Sequence, residues 1–295
     1  MFRKLVIDSV NRAVQTLDGI AGKSVNVAKV LKCLGEHPLA TGFLGGDGGA
    51  ALRSTLQAKG IESDFVEVKA RTRQCVTLID ESARTQTELV EESQPVTQSD
   101  YDAFARIIRD RIRSCRAMVI SGTLTPGAPS DFYFRCARMA TESGALSIVD
   151  AQGPALIEAL EARPNLVKPN RAELAATLGR ELSDELGVVS AMRELNERGA
   201  HQVVITAGRE SALAFDGRNC WRIRTPRIAA INPIGSGDAF TAALVSRLLR
   251  GEDLAEACRW ACAAGAANAL TILAGELNPK DMQRLLPEVA VDKVK

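Results

Sequence analysis

The sequence predicts an α/β protein: a mostly parallel central sheet flanked by helices, with a small antiparallel β appendage. Three observations carry this. From about Ser24 onward, short apolar β-rich runs alternate with helical runs, the pattern of parallel strands joined by helical crossovers. Between Asp64 and Val90 the rhythm breaks, and strand-like runs follow one another without a helix. Apolar residues make up 46% of 295, enough for one large domain or a domain with an appendage.

Taken in order, a helix over Ser24–Leu34 stops at Gly35, a strand follows at Leu39–Phe43, and a helix over Gly49–Lys59 stops at Gly60. The helix-free cluster comprises Asp64–Val68, Gln74–Asp80 and Thr85–Val90. Regular alternation then resumes: helix Gln98–Arg111, strand Ala117–Ser121, helix Pro129–Thr141, strand Leu146–Asp150, helix Pro154–Glu161, strand Leu166–Lys168. Helices over Arg171–Leu178 and Ser183–Arg198 precede strand Gln202–Thr206, and Asp216-Gly217 marks a hairpin. The last third reads as helical. Neither a low-complexity linker nor an internal repeat divides the chain, so residues 1–295 read as one domain.

Composition excludes several function classes. A net charge of +1 gives no field for nucleic acid or an anionic membrane. Met1 to Val10 mixes charged and apolar residues too early for a signal peptide. The most apolar run, Trp260 to Ala274, is too short to span a bilayer. Seven scattered cysteines without a Cys-x-x-Cys suggest reduced, mostly buried thiols in a cytoplasm. Two histidines, His37 and His201, argue against a His-rich metal site or a His-based triad.

The stretch Ile231 to Ala243, Ile-Asn-Pro-Ile-Gly-Ser-Gly-Asp-Ala-Phe-Thr-Ala-Ala, carries the chemistry. Pro233 blocks helix upstream, Gly235 and Gly237 permit a tight turn, and a helix runs on from Asp238. Unpaired N–H groups at Gly235, Ser236 and Gly237 would then face out of a positive helix terminus, a site for phosphate. A carboxylate beside that site, Asp238, repels the ligand unless it takes a proton from a hydroxyl attacking the phosphate. Spacing alone equally fits a helix cap.

Two other glycine clusters are weaker. Gly22-Lys23-Ser24 lacks the glycine that a Walker A loop requires five residues earlier; Leu17 stands there. Gly46-Asp-Gly-Gly-Ala-Ala51 resembles a dinucleotide turn, but appendage strands are expected where the next parallel unit should come.

Asn232-Pro-Ile-Gly-Ser-Gly-Asp-Ala239 resembles the C-terminal signature of the phosphofructokinase B, or ribokinase-like, sugar kinases, and looks closest to the 1-phosphofructokinase and tagatose-6-phosphate kinase branch. Other segments resemble that family in order: Ala21-Gly-Lys-Ser-Val-Asn-Val-Ala28, Arg71-Thr-Arg73, Ser121-Gly-Thr-Leu-Thr-Pro-Gly127, Lys168-Pro-Asn-Arg-Ala-Glu173, Thr206-Ala-Gly208 and Ala263-Ala-Gly-Ala-Ala-Asn268. The resemblance implies a ribokinase-like three-layer sandwich whose appendage is a β lid, formed by about 64–90 and part of 1–20. It implies Asp238 as base and Gly235, Ser236 and Gly237 as anion hole. Gly22, Lys23, Asn26, Arg73 and Ser121 would bind the sugar phosphate with Asp238. Lys168, Thr206, Gly208 and Asn268 would join the glycine turn in holding ATP, and Asn170 and Glu173 would hold Mg2+ through water. Read as residues alone, Asn170 and Glu173 also fit an N-cap with its capping-box partner.

The implied activity is ATP-dependent phosphorylation of a ketohexose monophosphate, fructose 1-phosphate or tagatose 6-phosphate. Alternatives are a kinase of an unphosphorylated sugar or nucleoside, and a non-catalytic sugar-phosphate binder. Two family glycines are replaced, by Ala21 and Ser24. The family's first strand and its substrate-binding Asp are expected to be missing ahead of Met1. A homodimer through the lid and a cytoplasmic location complete the expectation.

Overall fold

In a computed structural model the chain is described over residues 1–294. After an irregular opening, α1 (Lys23–Cys33) leads to β1 (Leu39–Leu44), α2 (Gly46–Ala58) and β2 (Glu62–Glu67). β1 and β2 pair in parallel, Leu39 opposite Glu62, so β1–α2–β2 is a βαβ unit. This corrects the expected lid: residues 64–67 belong to the parallel layer. Gly46-x-Gly-x-x-Ala51 therefore does sit in a parallel unit, yet its turn is closed. A Cβ at Gly45 would lie 2.2 Å from the Ala70 carbonyl oxygen, so the glycines admit a crossing chain where a phosphate would need to sit.

The small antiparallel sheet, where the lid is expected, is the pair β3 (Cys75–Asp80) and β4 (Thr85–Val90), joined by Phe2 through a parallel bridge to Asp80. α3 (Gln98–Arg111) starts at a capping box of Thr97 and Asp100. Then come β5 (Ala117–Ser121), α4 (Phe132–Ser143), β6 (Leu146–Asp150), α5 (Gly153–Leu160), β7 (Leu166–Val167), α6 (Arg171–Leu178), α7 (Glu185–Glu197), β8 (Gln202–Ile205), β9 (Ala212–Phe215) and β10 (Cys220–Arg224). α8 (Ser236–Leu248), α9 (Leu254–Ala269) and α10 (Pro279–Leu285) are followed by a strand absent from the sequence reading, β11 (Ala290–Val294).

The main sheet has seven strands in the order β11-β10-β9-β8-β7-β6-β5, parallel from β5 to β8 and antiparallel beyond. Alternate strand residues face opposite layers. Val149, Val167 and Val203 pack with α4, α5 and α7, while Ile148, Leu166 and Val204 pack with α8 and α9. On the second face, Val27 and Val30 of α1 lie against Ala239 and Ala242 of α8, and these small residues bring the two helices close. All seven cysteines are free, with Cys33 and Cys75 exposed.

Candidate active site

The parallel strands end on one side of the sheet, where α/β proteins bind ligands, and Lys23, Asn26, Lys168, Glu173 and Asp238 meet there. Gly235 caps α8 in the left-handed region, φ 84°. A side chain is excluded twice over, by that conformation and because a Cβ would stand 2.7 Å from the Gly275 amide nitrogen. The Ser236 N–H donates to the Pro233 carbonyl at 3.1 Å, so it is not free as the sequence reading expected; Gly235 and Gly237 N–H have no partner among the described residues.

Asp238 lies in the first turn of α8, 7% exposed. Its Oδ2 accepts from Asn26 Nδ2 at 2.7 Å. Burial pushes its carboxyl up to about 6; the Asn26 hydrogen bond opposes the rise, the nearby Asp150 charge adds to it, and Lys168 and Lys23 oppose it.

Asp150, at the end of β6, was missed in the sequence. It is buried and gathers three partners: Lys168 Nζ at 3.1 Å, Lys23 Nζ at 3.5 Å and Thr241 Oγ1 at 3.0 Å. Its only sequence signal is a carboxylate at a strand's carboxyl end. Lys168 is as buried as its partner, which makes this an ion pair that cannot lose one member cheaply. Lys23 also reaches Glu173 Oε1 at 3.2 Å. Burial pulls the Lys23 pKa down, but Asp150 and Glu173 outweigh it and the net shift is upward.

Asn170 and Glu173 form the capping box of α6: Asn170 Oδ1 accepts from Glu173 N–H at 2.9 Å and Glu173 Oε2 from Asn170 N–H at 2.8 Å. Glu173 Oε1 is the oxygen left facing the site. Thr206, just past β8, bridges to Asn170, and Gly208 turns the chain at φ 60°. Among the described residues no group of three or more His, Cys, Asp or Glu side chains is placed to hold a metal. A metal here would rely on Glu173, water and phosphate oxygens, a hard-oxygen set that suits magnesium.

Three of the expected residues have protein partners of their own. Asn268, expected beside a nucleotide base, is fully buried: Nδ2 donates to Ile234 O and Ser236 Oγ, and Oδ1 accepts from Gly275 N–H. It pins the glycine turn from behind. Lys23 lies on Asp150 and Glu173, on the Asn170 side. Arg73 is exposed between β2 and β3 and donates to Ser93 Oγ. Gly22 caps α1 at φ 130°, and Ser121 ends β5 with its Oγ buried and without a partner.

This arrangement holds a buried carboxylate beside open helix-terminal N–H groups, a pairing that could serve the transfer of a phosphoryl group to an alcohol. A family model described as pfkB family carbohydrate kinase matches residues 3–281, and the chain belongs to that family. It is a phosphotransferase. Among solved structures, phosphofructokinase-2 from Escherichia coli in complex with potassium is 27% identical; the match covers 97% of this chain and 93% of that one, with a TM-score of 0.87. The same enzyme in complex with fructose-6-phosphate matches at 27% identity over 97% and 93% of the two chains, with a TM-score of 0.85. A possible 1-phosphofructokinase from Thermotoga maritima is 26% identical over 99% of this chain and 95% of that one, with a TM-score of 0.87. No helix among the described residues is long and apolar enough to cross a membrane.

Proposed function

We propose that this protein transfers the γ-phosphoryl group of ATP to a hydroxyl of a ketohexose monophosphate, fructose 1-phosphate or tagatose 6-phosphate, in the cytoplasm. The observation that carries the reading is Asp238: a carboxylate buried at a helix start, held by Asn26, with its pKa near 6. A base so placed is ionised at neutral pH and retains affinity for a proton.

Asp238 takes the hydroxyl proton as the sugar oxygen bonds to the γ-phosphorus. The bond to the β–γ bridging oxygen breaks, and ADP leaves with that electron pair. Gly235 and Gly237 N–H groups receive the charge that develops on the phosphoryl oxygens. Asn26 aims the Asp238 carboxylate, and Lys168 balances Asp150 behind it. Thr206 and Gly208 line the nucleotide side. Asn170 and Glu173 would hold Mg2+ through water, and the ion when bound neutralises phosphate charge. Lys23 and Arg73 bind the substrate's phosphate, Arg73 suited by its planar fork. The lid, whose Val76, Leu89 and Val90 are exposed, forms a homodimer contact.

A second reading, a kinase of an unphosphorylated sugar, is favoured by one observation: Lys23 and Arg73 are each engaged elsewhere, on Asp150 with Glu173 and on Ser93. ADP release is the test, with ATP and magnesium against both ketohexose monophosphates, fructose 6-phosphate and the free sugars. Turnover of the monophosphates is expected. Turnover confined to free sugars would replace the first reading with the second.

A further inference from the structure

The chain has two tyrosines, Tyr101 and Tyr133, and both hydroxyls are engaged by one loop. That loop runs from Ser121, the last residue of β5, through Gly122-Thr-Leu-Thr-Pro-Gly127 to Ala128. It begins at the site. Ser121 stands opposite Asp150 in the β5–β6 register, and Ser24, next to Lys23, donates to the Ser121 carbonyl at 3.5 Å. Ser121 Oγ is buried and has no protein partner, so a polar group at the start of the loop is left for something else to satisfy.

The loop's own backbone holds it weakly. Thr123 and Leu124 make no backbone–backbone hydrogen bond among the described residues. One such bond, from Ala128 N–H to Thr125 O at 3.1 Å, closes the turn over Pro126-Gly127, where Gly127 has φ 76°. The tyrosines brace the rest. Tyr133 OH donates to the Gly122 carbonyl at 2.9 Å, and Tyr101 OH shares a hydrogen bond with Thr125 Oγ1 at 2.8 Å. Both rings belong to the core beneath the loop. Tyr101, 1% exposed in the first turn of α3, is set edge-on to Phe43 and Phe132, and Tyr133, 7% exposed, lies in the first turn of α4. Close packing fixes where each ring lies. A buried tyrosine hydroxyl needs a partner, so the rings dictate where Gly122 and Thr125 must sit.

We propose that Tyr101 and Tyr133 are positioning residues for the phosphoryl acceptor: their hydroxyls fix the loop on either side of Thr123 and Leu124, and so hold Ser121 in place to bind the acceptor. This rests on the assignment of Ser121 to the substrate under the proposed function. The tyrosines act through the loop and not on the reacting atoms. Binding lost in this way is lost equally from ground state and transition state, so it raises KM for the acceptor and leaves kcat and KM for ATP in place.

The test uses Tyr101→Phe, Tyr133→Phe and Thr125→Val in the 1–295 chain, together with the double variant Tyr101→Phe/Thr125→Val. Each change keeps the ring or the volume and removes one hydroxyl. The acceptor is whichever sugar or sugar phosphate the parent turns over in the ADP-release assay, so failure of the ketohexose monophosphates changes the substrate and not the role of the tyrosines. Each single variant should raise KM for the acceptor about three- to tenfold, with kcat and KM for ATP within about twofold of the parent. Tyr101→Phe and Thr125→Val break the same bond, so the double variant should raise KM no further than the larger single effect. Hydrogen exchange at the Ala128 amide, read without any acceptor, should speed up about tenfold in Tyr101→Phe and in Thr125→Val. A melting temperature that falls while KM for the acceptor stays at the parent's value would reduce the tyrosines to core packing and overturn the proposal. Effects that multiply in the double variant, or Ala128 exchange at the parent's rate, would overturn it as well.

Discussion

At the scale of single residues, Asp238 makes two opposed predictions. Asp238→Asn keeps the shape and loses the base, so kcat should fall on the order of a hundredfold or more while ATP binding persists. In the parent, the basic form appears as pH rises through about 6, so kcat/KM should climb through that region and level off above it. Stability runs the other way. A folded pKa raised from 3.8 to about 6 contributes stability only while the group is protonated, and that stability is lost as pH rises through the interval. The shift is worth on the order of 2–3 kcal/mol. Asp238→Asn should therefore melt above the parent at pH 7, with the difference closing near pH 4. A variant that is fully active, or that melts lower at pH 7, would remove Asp238 from the base's role. Lys23→Ala and Arg73→Ala are expected to raise KM for the phosphosugar well above their effect on ATP; unchanged KM in both would favour the second reading. The glycine turn and the helix start around Asp238 were legible because they are contiguous in sequence. Asp150 was not, because its partners Lys23, Lys168 and Thr241 come from three distant segments. The partners of Asn268 at 234, 236 and 275 were hidden for the same reason: they are set by how α9 meets α8, which composition alone does not give.

At the scale of elements, the alternation of strands and helices was legible because hydrophobic period and glycine stops are local. Pairing is not. Residues 64–67 read as lid because they precede two more strands, yet their ladder partner is β1. β11 escaped because Asp292 and Lys293 interrupt a five-residue run at a sheet edge. One contact between elements is open to a direct test. Lys29 of α1 is buried, and its Nζ donates to Ala274 O at 2.7 Å and Ile20 O at 3.2 Å, with Glu276 at 3.3 Å. Burial pulls its pKa down, and Glu276 opposes this. The same loop carries Gly275, which abuts Gly235 and Asn26. Lys29→Met should leave two carbonyls unpaired, cost about 1–3 kcal/mol in a denaturant melt, and lower kcat more than it raises KM for ATP; unaltered kcat would show that the loop holds the glycine turn without it. For the lid contact we propose, Leu89→Glu should leave a monomer in sedimentation where the parent is a dimer, and an unchanged mass would move the contact elsewhere.

At the scale of the whole molecule, the break between β1 and β5 divides the packing. Val25, Ala28, Ala40, Leu44, Leu52, Leu56 and Ile61 form a core of their own, separate from the two that cover the main sheet. What ties this unit to the rest is α1, the Arg111 pairs with Asp64 and Glu62, and the Phe43 ring set edge-on to Tyr101 and Phe104 at 5.0 and 5.1 Å. The chain's two tryptophans, Trp221 in β10 and Trp260 in α9, both lie in the main body. Tryptophan fluorescence therefore follows the body alone, while far-UV circular dichroism also follows α2. In the 1–295 chain, urea should reduce the dichroism before it changes the fluorescence, breaking two-state behaviour. Phe43→Ala should shift the early dichroism phase to lower urea by on the order of 2 kcal/mol, since a half-buried ring loses less than a core phenylalanine. The fluorescence transition should stay in place, because the contact is already lost in the state that unfolds there. Coincident transitions in the parent, or a joint shift in the variant, would mean that α1 alone makes the two cores cooperative.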